Sequence, residues 1–405
     1  MKSFARFLLG IFICSLPLLA QVRSPKDYFG HEMGADRQLI SWDQIGEYFH
    51  YLDNRSDRVM VEELGRTTLD KPFLMVTITA AGDMTRLERL KVIQQRLGRA
   101  DDLSPEEAAA LIHEGKTVVL LTLNIHSTEI ASTQESVELA WELATQEDER
   151  TRTILENVVL LIVPSLNPDG LEMVRNYYNK TLGTDSEGSS FPGLYHHYAG
   201  HDNNRDWFFF NLAESRLVAR ILYHEWYPEI IYDQHQMGNS SARLFMPPYQ
   251  DPLNPNVHPR ITAATNSLGK YVVAELIDQG FTGIVTGARF NAFYEGTMSK
   301  TPLWHNRIGI LSEAASVRIA TPTFHPKTSL RGMDHALNEY QAQTNFPLPW
   351  PGGWWRLRDL VEYEKAATYA ILDLAATYKT RYKTNFYDLN REAIEKGRTE
   401  PPYAW

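Results

Sequence analysis

The sequence predicts an α/β fold in which helices cover both faces of a central sheet. Four apolar segments, rich in Val, Ile and Leu and without polar alternation, have the pattern of strands buried on both faces. They lie at residues 117–123, 157–164, 229–232 and 308–311. Helical patterns, notably at residues 129–144 and 212–226, separate these segments. Strands that alternate with helices are typical of an α/β sheet covered on both sides.

Composition narrows the class of protein. The chain has 405 residues, of which 43% are hydrophobic and 22% charged, and this length suits one large domain or two. Its 9 Trp, 20 Tyr and 17 Phe exclude a disordered chain. The net charge of −10 argues against nucleic acid or an anionic membrane as the main partner.

The N-terminus has the pattern of a secretory signal over residues 1–20. Lys2 and Arg6 form a positive segment, and the apolar stretch at residues 7–19 is too short to cross a bilayer as a helix. A buried N-terminal helix is the alternative. Cleavage would remove Cys14, the only cysteine, and leave no thiolate for a disulfide or a zinc site. We therefore expect an exported protein, periplasmic or extracellular, without stable membrane insertion.

Between the signal and the first apolar segment, the pattern predicts two strands among helices. An amphipathic helix at residues 42–52 precedes strands at residues 59–63 and 73–80. Residues 84–116 predict two helices. The second has Ser104 as its N-cap, followed by Pro and then by a Glu at the third helical position.

The later part of the chain predicts two long irregular segments and a long helix. The irregular segments lie at residues 179–203 and 247–259, and the helix is predicted over residues 357–378. We expect one domain over residues 24–385. Residues 386–405 are expected to be a tail or the start of a missing C-terminal region.

Polar side chains follow each of the four apolar segments. His126 and Glu129 come after the first, the motif N-P-D-G at residues 167–170 after the second, His235 after the third and Glu313 after the fourth. In open α/β sheets, ligands bind just outside the carboxyl ends of the strands. We therefore expect the two His and two Glu side chains to meet at one edge of the sheet.

This set of side chains suits a catalytic zinc ion. Such an ion takes about three protein ligands and keeps a position open for water, which it acidifies. A second carboxylate must then act as general base, and Glu313 suits that role. Taken singly, each residue has another interpretation: His126 as a polar loop residue, His235 as a satisfied core histidine and Glu313 as a cap. The helical motif H-E-x-x-H is absent.

A polar segment at residues 201–207 adds Asn204 and Arg205 shortly before a predicted helix. The planar guanidinium of Arg binds a carboxylate through two hydrogen bonds, and Asn offers a further donor. A surface ion pair is the alternative interpretation. In this order, H-x-x-E, N-P-D-G, N-R, His and Glu, the motifs resemble the M14 family of zinc carboxypeptidases over about residues 40–380.

The resemblance implies an α/β/α sandwich with a mixed, mostly parallel central sheet. It also implies one Zn²⁺ per chain and a peptide substrate with a free C-terminal carboxylate. The implied roles are zinc binding by His126, Glu129 and His235, general-base catalysis by Glu313, and carboxylate binding by Asn204 and Arg205. Tyr294 lies near the position of the family's mobile substrate-covering Tyr, although a packed aromatic is an equal interpretation.

The sequence departs from the family pattern at two points. The family has a further Arg, which stabilises the oxyanion, between N-P-D-G and N-R; Arg175 and Lys180 are both candidates here. Asp206 stands where many members have Asn. The surroundings of Glu313 resemble a long bacterial branch of the family that carries an extra C-terminal region. We therefore expect either a fragment or a member that has lost this region.

Three functions remain open at the level of sequence. The first is a zinc exopeptidase that removes a C-terminal amino acid. The second is a zinc-dependent amidase that acts on acylated amino acids or cell-wall peptides. The third is a non-catalytic secreted binding protein on a peptidase fold. The side-chain preference is also open: Lys300 would favour acidic side chains, but a solvated loop lysine is the simpler interpretation.

Overall fold

The computed structural model describes residues 22–196, 199 and 202–401. The predicted signal at residues 1–20 lies outside this part of the chain, so the signal and export stay predictions. Among the helices that the structure describes, none is both long and apolar enough to span a bilayer.

The described residues form twelve α-helices and ten β-strands. The helices are α1 (Pro25–Phe29), α2 (Trp42–Asp53), α3 (Ala81–Met84), α4 (Leu87–Arg99), α5 (Pro105–Glu114), α6 (Ala131–Thr145), α7 (Glu149–Asn157), α8 (Pro168–Thr181), α9 (Ala213–Arg220), α10 (Pro259–Asp278), α11 (Leu357–Thr377) and α12 (Lys379–Thr399). The strands are β1 (Val59–Arg66), β2 (Pro72–Ile78), β3 (Thr117–Thr122), β4 (Val158–Val163), β5 (Ile230–Met237), β6 (Leu244–Phe245), β7 (Ile284–Val285), β8 (Ile308–Ala315), β9 (Thr323–His325) and β10 (Gly353–Trp355).

Eight strands form one mixed sheet in the order β1-β2-β4-β3-β5-β8-β6-β7, and β9 and β10 form a separate hairpin. The central strands β4, β3, β5 and β8 run parallel to one another. Antiparallel pairing joins β1 to β2, β2 to β4 and β6 to β8. The predicted α/β/α sandwich with a mixed, mostly parallel sheet is confirmed.

Burial on both faces explains why the central strands show no polar alternation. In β3, Val119 and Leu121 belong to the core that packs against α2, α6 and α11. Val118 and Leu120 point the other way, into the core formed with α4, α5 and α12. Because successive side chains of a strand face opposite sides, a strand between two cores needs apolar residues at every position.

The predicted helix starts near the N-terminus are confirmed. Ser41 and Ser104 each accept a hydrogen bond from the backbone N–H three residues ahead, and Gln44 and Glu107 bond back to the caps. Each arrangement is a capping box, which satisfies two backbone donors that the first helical turn leaves unpaired. The segment at residues 84–116 contains α4 and α5, as predicted.

Two predicted strands prove longer than their apolar segments. Strand β5 continues through His235 to Met237, and β8 continues through Glu313 to Ala315. The prediction that these side chains follow the strands was wrong, because buried polar residues belong to the strands themselves. Gln234, for example, is buried and donates to Thr368 Oγ1 of α11 at 2.9 Å.

The predicted boundary at residue 386 falls inside α12. Phe386 and Tyr387 are buried in the core beside α4 and α5. Earlier in the same helix, the fully buried Lys383 pairs with Glu229 at 2.9 Å and donates to the carbonyl of Lys116 at 2.7 Å. Helix α12 is therefore packed on the sheet, while the division of the chain into domains stays a prediction.

Candidate metal centre

The loop after β3 brings His126 and Glu129 together. Asn124 adopts a left-handed backbone conformation, with φ of 54°, which Asn tolerates better than most residues. Its side chain donates to the carbonyl of Glu129 at 3.0 Å and accepts from Ser165 Oγ at 2.9 Å. The backbone N–H of Glu129 also donates to the carbonyl of His126 at 2.9 Å. This turn is therefore fixed at both ends before α6 begins.

The adjacent parallel strands β5 and β8 bring His235 beside Glu313. The two residues are register partners in the ladder, so their side chains lie on the same face of the sheet. Asp233 precedes His235 by two residues and shares that face. The sheet itself therefore fixes the relative positions of these three side chains.

Three side chains converge as a candidate metal-ligand set. One donor atom from each of His126, Glu129 and His235 lies within 4.8 Å of the other two. His126 Nδ1 lies 3.0 Å from Glu129 Oε1, and His235 Nδ1 lies 3.0 Å from Glu129 Oε2. Glu129 Oε2 is buried and has no partner with hydrogen-bond geometry among the described residues. Nitrogen and oxygen donors of this kind suit zinc.

A carboxylate holds the far nitrogen of each imidazole. His126 Nε2 lies 3.1 Å from Asp202 Oδ1, and His235 Nε2 lies 2.9 Å from Asp233 Oδ2. Such carboxylates favour the tautomer that carries the proton on Nε2, and this leaves the Nδ1 lone pairs directed at Glu129. The geometry is that of metal-binding histidines supported by an outer layer of carboxylates.

The charges around the two imidazoles also favour a cation. Burial lowers the pKa of His126, but Glu129 and Asp202 outweigh it and raise the pKa to about 9. Burial likewise lowers the pKa of His235, while Asp233 and Glu129 raise it well above its ordinary value. Three carboxylates around two histidines leave an excess of negative charge when both rings are neutral. A divalent cation would balance that charge, so the site fits zinc.

Glu313 lies close to this cluster, but its carboxylate has no hydrogen bond or ion pair with the described residues. Burial raises the pKa of its carboxyl to about 7, with the nearby histidines lowering it and Glu129 raising it. A carboxyl group with a pKa near neutrality can both accept and release a proton. Both of its oxygens remain available to a substrate or a water molecule.

Asn204 and Arg205 belong to a short 3₁₀ turn that is tied to the ligand loop. Asn203 Nδ2 donates to the carbonyl of Ile125 at 2.8 Å, and the backbone N–H of Met298 donates to Asn204 Oδ1 at 2.9 Å. Arg205 is half exposed, and its nearest carboxylate, that of Asp202, is 3.7 Å away. That distance leaves most of the guanidinium donors free to bind a ligand.

A cavity of about 310 Å³ connects these groups. It is lined by His126, Asn204, Arg205, His235, Arg289, Phe290, Asn291, Tyr294, Thr297, Ser299, Lys300, Leu311 and Glu313. Every predicted site residue except the buried Glu129 therefore lines one opening. A second cavity, of about 220 Å³ and lined in part by Tyr249, contains no His or Glu in its lining and offers no comparable chemistry.

Neither predicted oxyanion cation lines this cavity. Arg175 lies on α8, where it donates to the carbonyl of Leu39 at 3.4 Å, and Lys180 is exposed in the last turn of the same helix. The cations that do line the cavity with Arg205 are Arg289 and Lys300.

Asp206 has a local structural role. Its buried carboxylate accepts hydrogen bonds from the backbone N–H groups of Asn211 and Leu212, at 3.2 and 3.0 Å, and from Ser215 Oγ. These bonds close the turn that leads into α9. Asp206 therefore stabilises the segment that follows the Asn204–Arg205 turn in the sequence.

The sequence analysis assigned no role to Asp202, Asp233 or Arg289. Asp233 carried a usable signal: residues i and i+2 of a strand share a face, so an Asp two positions before a strand histidine can support its ring. For Asp202 there was no such signal, because His126 lies 76 residues away in the sequence.

Comparison with known proteins decides the family. The family model for zinc carboxypeptidases matches residues 45–275, more than half of the chain. The chain belongs to the zinc carboxypeptidase family. The predicted membership is thereby confirmed, and zinc is the metal that the family uses. Glu313, Tyr294 and Lys300 lie beyond the matched range.

Solved structures of the zinc carboxypeptidase type share the fold. A candidate carboxypeptidase A from Shewanella denitrificans is 15% identical with a TM-score of 0.52, over 83% of this chain and 69% of that one. A metallo-carboxypeptidase from Pseudomonas aeruginosa is 13% identical with a TM-score of 0.50, over 84% of this chain and 70% of that one. A search of curated protein sequences gives no match.

Proposed function

We propose that this member of the family is a zinc-dependent metallocarboxypeptidase that removes the C-terminal residue of peptides. One observation carries the proposal: a metal-ligand set, an unpaired carboxylate and a half-exposed arginine share one cavity. The first can hold the metal, the second can move a proton and the third can bind the terminal carboxylate. The predicted signal segment supports export as part of the same proposal.

His126, Glu129 and His235 would hold the metal, with Asp202 and Asp233 orienting the two imidazole rings. When bound, zinc makes water more acidic and polarises a carbonyl group. The chain supplies the geometry for this chemistry, because two of the three ligands lie on a fixed loop and the third on a central strand.

Glu313 would act as the general base and then as the general acid. Its unpaired carboxylate takes a proton from the attacking water and delivers it to the nitrogen of the leaving amine. The register pairing with His235 supports this role, since it holds the carboxylate beside the metal ligands throughout the reaction.

Arg205 and Asn204 would bind the C-terminal carboxylate of the peptide. The guanidinium can form two parallel hydrogen bonds with a carboxylate, and such a contact fixes the scissile bond at a set distance from the end of the chain. This contact makes the enzyme an exopeptidase and distinguishes it from an amidase with the same metal.

Tyr294 would cover the bound substrate. Its side chain is 41% exposed at the edge of the cavity, and its ring meets that of Phe208 edge to face at 6.3 Å. Phe208 and the adjacent Phe209 are also exposed, and together these rings offer an apolar border for the upstream part of a peptide.

The test compares the zinc-loaded wild type with Glu313→Gln on blocked dipeptides and on their C-terminal amides. The wild type should cleave the free acids and not the amides. Glu313→Gln should bind zinc normally and lose several orders of magnitude in kcat, because it keeps the shape of Glu313 but cannot accept the proton. Equal cleavage of amides would favour an amidase, and a near-fully active variant would refute the role of Glu313. A purified protein without zinc would favour a non-catalytic binding protein.

A further inference from the structure

Lys300 is a buried cation in the lining of the candidate catalytic cavity. Only 5% of the residue is exposed, so the interpretation as a solvated loop lysine was wrong. Its Nζ donates to Ser299 Oγ at 2.9 Å and lies 4.4 Å from the ring centroid of Tyr249. A neutral hydroxyl and an aromatic face stabilise an ammonium group only weakly compared with a carboxylate.

Two other buried lysines show what Lys300 lacks. Lys116 pairs with Asp83, and Lys383 pairs with Glu229. Lys300 lines a cavity that is open to ligands, yet it has no ion pair within 4 Å among the described residues. Burial lowers the pKa of its ammonium group to about 8, while the carboxylates of Asp233 and Glu313, neither of which is an ion-pair partner, act to raise it. The buried ammonium group of Lys300 would therefore be stabilised by a negatively charged group of a ligand that enters the cavity.

The surroundings of Lys300 are rigid. The hydroxyl of Tyr249 donates to the carbonyl of Gly309 at 3.1 Å and accepts from the backbone N–H of Leu311 at 2.9 Å, so the ring below Nζ is fixed to β8. A Cβ on Gly309 would lie 2.1 Å from the carbonyl oxygen of Ser299. Glycine therefore allows the segment that carries Lys300 to pack directly on the strand that carries Glu313.

The same segment is tied to the predicted carboxylate anchor. Met298, two residues before Lys300, bonds Asn204 through its backbone N–H at 2.9 Å. Thr301 donates from its hydroxyl to the carbonyl of Trp207 at 3.1 Å. Three cations line the cavity, and two of them, Arg205 and Lys300, lie on segments that these hydrogen bonds join. A ligand with two carboxylates matches this arrangement.

We propose that Lys300 binds the side-chain carboxylate of an acidic C-terminal residue and makes the enzyme select peptides that end in Asp or Glu. The proposal rests on the proposed carboxypeptidase function. Arg205 would hold the main-chain carboxylate, and Lys300 the carboxylate of the side chain. A substrate with an apolar end would leave the ammonium group buried and unpaired, and sites of that kind reject such substrates strongly.

The first experiment measures kcat/KM on blocked dipeptides ending in Glu, Asp, Leu, Phe or Arg. The zinc-loaded wild type should prefer Glu or Asp over Leu by at least about 100-fold. Lys300→Met, which keeps most of the length of the side chain without the charge, should remove or reverse that preference while the rate on Leu stays the same or rises. Lys300→Arg is the matched control and should keep an acidic preference.

The results separate the two proposals. Cleavage with a wild-type preference for apolar or basic ends would overturn the role of Lys300 and leave the carboxypeptidase intact. An equal loss of kcat/KM on every substrate in Lys300→Met, with unchanged zinc content, would also overturn it. Lys300 would then contribute to the reaction itself and not to the choice of the C-terminal residue. Failure to cleave any free-acid peptide would refute the proposed function itself.

A binding measurement keeps the proposal testable without turnover. In the zinc-loaded Glu313→Gln variant, calorimetry should give at least about tenfold tighter binding of the Glu-ending peptide than of the Leu-ending one. Adding Lys300→Met should abolish that difference. Equal affinities in the single variant would overturn the proposal, provided that thermal unfolding shows both variants to be folded.

Discussion

Replacing Asp233 by Asn removes one negative charge behind a candidate metal ligand while preserving the shape of the side chain. Asp233 is fully buried, and its Oδ2 lies 2.9 Å from His235 Nε2. Its other oxygen accepts from Thr122 Oγ1 at 2.9 Å, so the position of the group is fixed from both sides. An amide oxygen can still accept from the ring, but it no longer increases the basicity of the imidazole.

The expected cost is a loss of zinc affinity. Outer carboxylates of metal-binding histidines contribute about 10- to 100-fold, which corresponds to about 1.4–2.8 kcal/mol. The complete burial of Asp233 places the effect towards the upper end of this range, because water screens little of the charge. Asp202 makes the equivalent contact with His126 at 3.1 Å, but its side chain is 39% exposed. Asp202→Asn should therefore weaken zinc binding less.

The assay is a zinc titration against a chelator of known affinity for the wild type, Asp233→Asn and Asp202→Asn. The predicted order of dissociation constants is wild type lowest, Asp202→Asn intermediate and Asp233→Asn highest. An unchanged dissociation constant in Asp233→Asn, with the fold intact by circular dichroism, would refute the assignment of His235 as a ligand held by this carboxylate. The opposite order of the two variants would show that burial does not control the effect.

Two further predictions concern stability. Lys383→Met leaves the buried Glu229 without its ion pair and should reduce the free energy of unfolding by about 3–5 kcal/mol, measured by denaturant titration. The double variant with Glu229→Gln should recover part of the loss, and a loss well below 1 kcal/mol would contradict the importance of this contact. Burial raises the pKa of the Glu135 carboxyl from 4.5 to about 8, so the folded state binds this proton more tightly than the unfolded state does. The free energy of unfolding therefore falls as the pH rises from about 4.5 to about 8. Glu135→Gln should therefore raise the melting temperature more at pH 8 than at pH 5; an equal change at both would disprove this account.

The sequence predicted the parts of the site that depend on local pattern. The loop that carries His126 and Glu129 follows a fully buried strand rich in Val and Leu, and such a strand end is visible in the sequence. The lengths of β5 and β8 were not predictable in this way. Their last residues are buried through hydrogen bonds to helices and through the cavity, and neither kind of contact leaves an apolar pattern.

The environment of Lys300 was also beyond the sequence. Its burial depends on Tyr249 and Gly309, which lie on different segments of the chain. That Lys300 has no ion-pair partner within 4 Å among the described residues can be seen only from the structure, because the sequence does not show which carboxylates lie near it. The cations of the cavity show the same limit: Arg289 lines it, whereas Arg175, the candidate closest to N-P-D-G, lies outside.

The register pairing of His235 with Glu313 has a consequence for how the enzyme can diversify. The candidate base and one candidate ligand lie opposite each other on adjacent, hydrogen-bonded strands, whereas Lys300 and Tyr294 lie on segments outside these strands. Under the proposed roles, substitutions in those outer segments would change which peptide end is accepted and would leave the pairing of His235 with Glu313 unchanged. Under the same proposal, the choice of substrate and the transfer of the proton depend on separate parts of the fold. The choice of substrate can therefore change while proton transfer is retained.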